Sequence, residues 1–223
     1  MENIPYEPAA DSLRSKFSGV SDGLPSSLRL RLHRSLSWIE RAETEAEDID
    51  AAFIFYWIAF NAAYARDLPE SYGTEERALF GEYFEKIVRF DVNRKIYDAI
   101  WSRFSGWIRL LLNNRYVFQP FWRHQNQPHT YGNWEDLFVR SQKTIGRALA
   151  RQDTRAVLSI LFDRLYVLRN QLFHGGATWN SRVNRRQVQD GARIMAFLVP
   201  HFIELMMDHP DAGWGPPYYP VVD

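Results

Sequence analysis

The sequence predicts an all-α protein, a bundle of six to seven helices. Apolar residues recur three or four positions apart in several segments, as they do along one face of a helix. Residues that commonly cap helices precede those segments, and no segment alternates apolar and polar residues as a half-buried strand does. The chain has 223 residues, 46% of them apolar and 15% aromatic, so it can bury a sizeable core.

The first quarter of the chain predicts an arm followed by two helices. Residues 1–26 are rich in Pro, Ser and Gly and lack a sustained helical period, so we expect a flexible N-terminal arm. A helix is predicted over 28–46, where apolar residues lie at helical spacing among charged ones. The next helix, over 48–66, has Asp48 as its N-cap. Because it is apolar on nearly every side, we expect it at the centre of the core.

The middle of the chain predicts two helices and an irregular segment. The helices are expected over 74–90 and 93–112. Residues 113–133 hold two prolines and have no period, which predicts a long loop. Between 103 and 151 there are eight basic residues and two acidic ones, although the net charge of the chain is zero. A basic segment of this kind can attract phosphate even in a neutral protein.

The last part of the chain predicts helices over 134–150, 153–174 and 183–207. Asp153 caps the second of these, and the pair Gly175–Gly176 is expected to end it, because glycine readily adopts the left-handed conformation that follows many helices. The same helix carries a regular apolar stripe that we expect to be buried: Val157, Leu161, Leu165, Leu168 and Leu172.

These segments predict a single helical domain over 27–208, followed by a tail over 209–223 that is rich in proline and aromatic residues. The uncharged stretch 51–65 is shorter than the roughly 18–20 apolar residues that a membrane span needs. No secretory leader is visible, so we expect a cytoplasmic protein without membrane association. Cysteine is absent, which excludes disulfides, thiol catalysis and cysteine-ligated metal centres. His124 and His129 have no third potential ligand nearby, so neither a metal nor a cofactor is predicted.

The candidate site lies in the segment Leu-Arg-Asn-Gln-Leu-Phe-His-Gly-Gly over 168–176. Asn170 and His174, four apart, share one face of an ideal helix. Arg169 and His174, five apart, point about 140° away from each other. They could converge on a ligand at the helix edge or across a two-fold axis. A structural interpretation also stands, in which His174 contacts the free carbonyls of the last turn and Arg169 packs its stem on the surface.

This segment resembles the motif of the HEPN superfamily (higher eukaryote and prokaryote nucleotide-binding domains). In that motif an Arg, a polar residue that is often Asn, three or more variable residues and a His lie near the end of a helix in an all-helical bundle. The aromatic helix over 55–64 resembles an early core helix of several HEPN families. The resemblance covers roughly 28–66 and 153–208, whereas 70–150 and the tail depart from it.

The resemblance implies an HEPN-like bundle and a metal-independent endoribonuclease whose catalytic residues are Arg169, Asn170 and His174. It also implies a homodimer that brings two copies of the motif to one cleft. Many members of the family cleave RNA, and host defence or toxin activity, with an antitoxin or defence-system partner protein, is what this family context suggests.

Cleavage of this kind uses the 2′-OH of the RNA as the nucleophile, so the protein must move protons and stabilise charge on the phosphate. Imidazole exchanges protons near neutral pH, which suits His174. A guanidinium can bind two phosphate oxygens at once, which suits Arg169. Asn170 could orient the histidine or donate to phosphate. Three bases that follow the glycines are expected to bind RNA: Arg182, Arg185 and Arg186.

Aromatic residues interleaved with the bases of 103–151 could stack on bases of single-stranded RNA, or they could belong to the core. Two further functions stay open. One is a non-catalytic HEPN-like module that binds a nucleotide, an RNA or a partner protein through Arg169 and His174. The other is a purely structural helical partner within a defence or toxin–antitoxin assembly.

Overall fold

The computed structural model describes residues 9–45, 47–66 and 74–221, and these are mainly helical, with no strand among them. The all-α prediction is therefore confirmed. The helices of these ranges are α1 (Ala9–Val20), α2 (Ser26–Glu43), α3 (Ile49–Tyr64), α4 (Thr74–Phe90), α5 (Lys95–Asp98), α6 (Ser105–Leu112), α7 (Gln119–Asn126), α8 (Trp134–Ala150), α9 (Thr154–Phe173) and α10 (Arg185–Asp208). A π-helical turn, Ala99–Arg103, lies between α5 and α6, and short 3₁₀ turns occupy Ser21–Gly23 and Arg115–Val117.

The predicted helix starts at two aspartates are confirmed by hydrogen bonds. The side chain of Asp48 accepts from the backbone N of Ala51 at 3.0 Å, and that of Asp153 accepts from the backbone N of Ala156 at 2.9 Å. Each carboxylate satisfies one of the amides that the first turn of a helix leaves without a partner.

Residues 9–23 are helical, so the arm expected over 1–26 is wrong for that stretch. Ala10, Leu13 and Phe17 are buried and give α1 an apolar face. Its outer face carries Arg14, whose Nε donates to Oε1 of Glu40 on α2 at 2.6 Å. Three apolar residues among serines and glycines were too few to reveal the helical period in the sequence. Residues 1–8 lie outside the described residues.

The loop expected over 113–133 is also wrong in part, because α7 and the 3₁₀ turn Arg115–Val117 lie inside it. Pro120 stands in the first turn of α7, where a missing backbone N–H costs no hydrogen bond. The proline therefore marks the start of a helix. Phe121 of α7 is buried and packs edge-on against Trp134 of α8, with ring centroids 5.0 Å apart.

The chain divides into two compact units, one of residues 1–75 with 191–223 and one of residues 76–190, where the sequence predicted a single domain over 27–208. In the first unit α2 packs along α3, and Phe60 of α3 lies 6.2 Å from Phe202 of α10, between ring centroids. The tail of this unit contacts the fully buried Arg31, which donates to the carbonyls of Gly215 and Pro216.

The second unit is built around α9. Phe162 lies 4.9 Å from Phe84 of α4, between ring centroids, and the predicted apolar stripe faces inward. Its first four members are buried, and Leu172, near the helix end, is half-buried. Of the helices in the described ranges, none combines the length and the hydropathy that a membrane span requires.

Candidate functional site

The C-terminal end of α9 carries the candidate site and is closed by two glycines. Gly176 N donates to Gln171 O at 2.7 Å, and Gly175 N donates to Leu172 O at 3.3 Å. This pair of bonds is the Schellman motif, which places His174 at the C-cap. Gly175 has φ +67°, a conformation that other residues rarely adopt. A Cβ on Gly176 would lie 3.0 Å from Gln171 O. The first glycine is therefore favoured by its backbone conformation and the second by lack of space.

Arg169 is half-buried, and its guanidinium is held by its own helix. Nη1 donates to Oδ1 of Asn170 at 2.9 Å. The Cζ atom lies 4.3 Å from the ring centroid of Phe173 and 5.8 Å from that of Tyr166. These aromatic faces attract the cation without neutralising it.

The charge of Arg169 has no acidic partner within the described ranges, and its buried Nε makes no hydrogen bond to any described residue. A buried donor without a partner costs about 1–3 kcal/mol. An anion bound at this position would supply both a counter-charge and an acceptor. Arg169 is therefore the best-prepared anion ligand on α9.

His174 lies in solvent at the end of the same helix. Its backbone N donates to the carbonyl of Asn170 at 3.0 Å, which completes the last turn. Its imidazole makes no hydrogen bond to Arg169, Asn170 or any other residue in the described part of the chain. The structure thus joins Arg169 to Asn170 and leaves the side chain of His174 accessible and separate, as the angle between these positions on a helix leads one to expect.

Gln171 links the end of α9 to two other segments of the second unit, although no pattern in the sequence indicates this role. Its Nε2 donates to the carbonyl of Tyr116 at 2.6 Å, and its Oε1 accepts from Nδ2 of Asn184 at 2.6 Å. One side chain therefore connects the end of α9 to the 3₁₀ turn Arg115–Val117 and to the segment before α10. No local signal could have revealed it, because both partners are distant in the sequence.

The three arginines expected to bind RNA occupy different environments. Arg182 is exposed, whereas Arg185 is half-buried and donates to Oδ1 of Asn180 at 3.3 Å. Arg186 is exposed on the first turn of α10 and lines a groove of about 730 Å³. Its Nε lies 3.9 Å from Oδ2 of Asp190, at the outer limit of an ion pair.

The aromatic residues of 103–151 belong largely to the core. Phe104, Phe118 and Phe121 are buried and three tryptophans are half-buried, whereas Tyr116 and Tyr131 are exposed at 41% and 38%. The stacking surface that the sequence allowed is thus much reduced, because these rings cover the helices of the second unit. The structure adds a buried base, Arg164, whose Nη2 donates to Oγ of Ser141 at 2.7 Å.

The two histidines of this region lie in different settings, His124 within α7 and His129 after it. Nδ1 of His124 lies 2.8 Å from the carbonyl of Tyr131, which fixes its ring, and His129 is exposed. In the ranges that the structure describes, no three His, Asp or Glu side chains form a cluster that could hold a metal ion.

Comparison with known proteins identifies no relative. No family model, no curated protein and no solved structure matches the chain. The HEPN resemblance accordingly stays a prediction that depends on the 169–174 segment and its position at the end of a helix.

Proposed function

We propose that this protein is a cytoplasmic, metal-independent endoribonuclease of HEPN type that acts as a homodimer. The observation that carries the proposal is the guanidinium of Arg169, which has no acidic partner among the described residues and is followed by an exposed His174 at the end of the same helix. Cleavage of a phosphodiester needs an anion-binding group and an accessible proton-transfer group, and the end of α9 carries one of each.

The reaction starts when the 2′-oxygen of a ribose attacks the adjacent phosphorus. An imidazole takes the 2′-OH proton as the new P–O bond forms, and the bond from phosphorus to the 5′-oxygen of the next nucleotide breaks. A second imidazole returns a proton to that leaving oxygen. The products are a 2′,3′-cyclic phosphate and a 5′-OH. Arg169 stabilises the charge that grows on the non-bridging phosphate oxygens.

Asn170 has a positioning role in this scheme, because its Oδ1 accepts from Nη1 of Arg169. That bond holds one edge of the guanidinium against the helix and leaves the remaining N–H groups for a phosphate.

A homodimer would supply the second imidazole. Because Arg169 and His174 point in different directions on one helix, the arginine of one copy could act with the histidine of the other. Large apolar side chains are exposed beside the site: Phe173 at 47%, Trp179 at 74% and Val183 at 67%. A contiguous exposed apolar patch commonly marks a contact surface, and these three side chains are the part of the chain that we propose a second copy covers. Sedimentation of the purified protein at micromolar concentration should give a dimer, and a Trp179→Glu variant should shift it toward the monomer of 26.3 kDa.

One observation favours a second function, a non-catalytic module that binds RNA, a nucleotide or a partner protein. The imidazole of His174 makes no hydrogen bond to a described residue, whereas histidines that act as general bases are normally oriented by a partner group. A partner copy could supply that group. In the non-catalytic case Arg169 would bind a phosphate without bond cleavage.

Incubation of the purified protein with mixed single-stranded RNA in EDTA distinguishes the two functions. An endoribonuclease of this type should cleave in EDTA, leave 2′,3′-cyclic phosphate ends and spare a substrate with a 2′-deoxy group at the cut. Arg169→Lys should cleave poorly, since an ammonium cannot bind two phosphate oxygens in the same fork. RNA that is bound but stays intact would favour the non-catalytic module. A host-defence or toxin role would additionally require a partner protein that controls the activity.

A further inference from the structure

A second basic surface lies in the 76–190 unit, in a groove that three separate elements form. Arg109 comes from α6, Arg115 from the 3₁₀ turn after it and Arg186 from the start of α10. We call it the α6–α10 groove. We propose that this groove binds the backbone of single-stranded RNA and holds the strand that the Arg169–His174 site cleaves. The choice of RNA as the ligand of this groove rests on the proposed function.

The charge of the groove favours a polyanion. Three arginines face one carboxylate, that of Asp190, which is itself buried. Neither Arg109 nor Arg115 forms an ion pair within the described ranges. Arg115 keeps its position by donating from Nη2 to the hydroxyl of Tyr116 at 3.0 Å. The groove therefore carries an excess of positive charge that neighbouring side chains of the same unit do not neutralise.

The remaining lining suits a nucleotide better than a simple inorganic anion. Leu110 is 53% exposed, and with Phe138 it gives the groove an apolar side on which a base or ribose can lie. Asn113, Asn114 and Gln187 contribute amides. The volume of about 730 Å³ lies within the range of roughly 300–1,000 Å³ that is typical of ligand sites.

The groove is connected to the end of α9 through the side chain of Gln171. Its Nε2 binds the carbonyl of Tyr116, the residue after Arg115, and its Oε1 binds Asn184, two residues before Arg186. The segments that carry two of the three groove arginines are thus hydrogen-bonded to the helix that carries Arg169 and Asn170. These hydrogen bonds connect the proposed strand-binding groove to the end of α9.

The test measures binding of a short, 5′-labelled single-stranded RNA by fluorescence anisotropy as a function of salt. A His174→Ala background keeps the RNA intact. The groove variant is Arg109→Gln with Arg186→Gln, because the guanidinium of Arg115 also supports its own turn. The matched control is Arg140→Gln with Arg147→Gln, which removes the same charge from exposed positions on α8 outside the groove.

Each lost phosphate contact should reduce the slope of log K against log salt by about 0.7, so the groove variant should lose about 1.4. Its affinity at about 100 mM salt should fall about 25-fold, because a slope smaller by about 1.4 lowers K by about 1.4 log units between about 1 M and 0.1 M salt. The control should keep the parental slope and affinity. Circular dichroism should show the same helicity and melting temperature in all variants.

An unchanged slope in the groove variant, an equal loss in the control or an absence of RNA binding would each overturn the inference. Binding of ATP at the groove arginines without binding of RNA would overturn the choice of ligand. The proposed function is tested separately. If the wild type binds RNA through the groove and cleaves none, the RNA-binding role of the groove is supported and the catalytic role of His174 is contradicted.

Discussion

Nη1 of Arg169 donates to Oδ1 of Asn170 at 2.9 Å, so two neighbouring residues of one helix form a single polar unit. The bond fixes a cation that has no acidic partner in the described part of the chain. It also defines the orientation of the Asn170 amide, since an oxygen that accepts from the guanidinium directs Nδ2 away from it. The proposed role of Arg169 in binding phosphate requires that this hydrogen bond is present when RNA binds.

Replacement of Asn170 tests the pair directly. Asn170→Ala removes the acceptor, so the guanidinium should lose its position and RNA cleavage should slow by about 10²-fold. Asn170→Asp should slow it further, because a carboxylate beside Arg169 neutralises the charge that the phosphate requires. Single-turnover rates measure both effects. Equal rates in wild type and Asn170→Asp would contradict a role for the charge of Arg169.

The two glycines after His174 should be individually intolerant of alanine. Gly175→Ala should cost about 1–2 kcal/mol, because a side chain disfavours φ +67°. Gly176→Ala should cost about 1–3 kcal/mol, since its Cβ would press on the backbone oxygen of Gln171. The measurement is the free energy of unfolding in urea.

Gly146 offers a matched control for these glycine variants. It lies inside α8, and a Cβ there would meet no atom within 4 Å. Gly146→Ala should therefore stabilise the protein by about 0.5–1 kcal/mol, as alanine does in an open helical position. A similar loss in all three variants would show that the helix end has no special geometry.

Gln171 should control the order of two segments that are far apart in the sequence. Gln171→Ala removes its hydrogen bonds to Tyr116 and Asn184. Hydrogen–deuterium exchange should then speed up in 115–118 and in 180–185, while the middle of α9 stays protected. Gln142→Ala, on the exposed side of α8, should leave both segments unchanged. Exchange that rises in neither segment would contradict the bridging role.

The ion pair between α1 and α2 predicts a small loss of stability in acid. The hydrogen bond from Arg14 holds the pKa of Glu40 below its ordinary value of 4.5. A depressed carboxyl pKa stabilises the fold above the unfolded-state pKa, and this contribution disappears as the pH falls through the folded-state pKa. Since the pair is partly exposed, its contribution is about 0.2–1 kcal/mol.

Arg14→Met should therefore lower the free energy of unfolding near pH 7 by that amount, and its effect should diminish toward pH 3 as Glu40 takes up a proton. Urea titrations at about five pH values between those limits measure the difference. A difference between Arg14→Met and wild type that stays constant across this range would show that the contact between α1 and α2 is not electrostatic.

Local features of the sequence were sufficient to predict the site helix. The period of its apolar stripe, the capping Asp153 and the pair Gly175–Gly176 define where α9 begins and ends, and all three act within a few residues of their position. The segment of Arg169, Asn170 and His174 was selected by its resemblance to the HEPN motif and by its place at the end of this helix. Their chemical role stays a prediction.

Features that depend on distant parts of the chain could not be predicted from local patterns. Gln171 resembles any polar helical residue until the fold brings Tyr116 and Asn184 to it. Pro120 indicates a loop until its place in the first turn of α7 is known. The α6–α10 groove combines residues that are up to about 80 positions apart, so spacing in the sequence gives no sign of it.

The catalytic role of His174 can be measured as the rate of RNA cleavage in EDTA by wild type, His174→Ala and His129→Ala. His129 is an exposed histidine outside the site, so its replacement controls for the loss of any surface imidazole. Loss of a positioned acid–base group costs about 10²–10⁴ in rate. The account predicts a loss of that size for His174→Ala, with an unchanged melting temperature, and wild-type rates for His129→Ala. Cleavage by His174→Ala at the wild-type rate would contradict it.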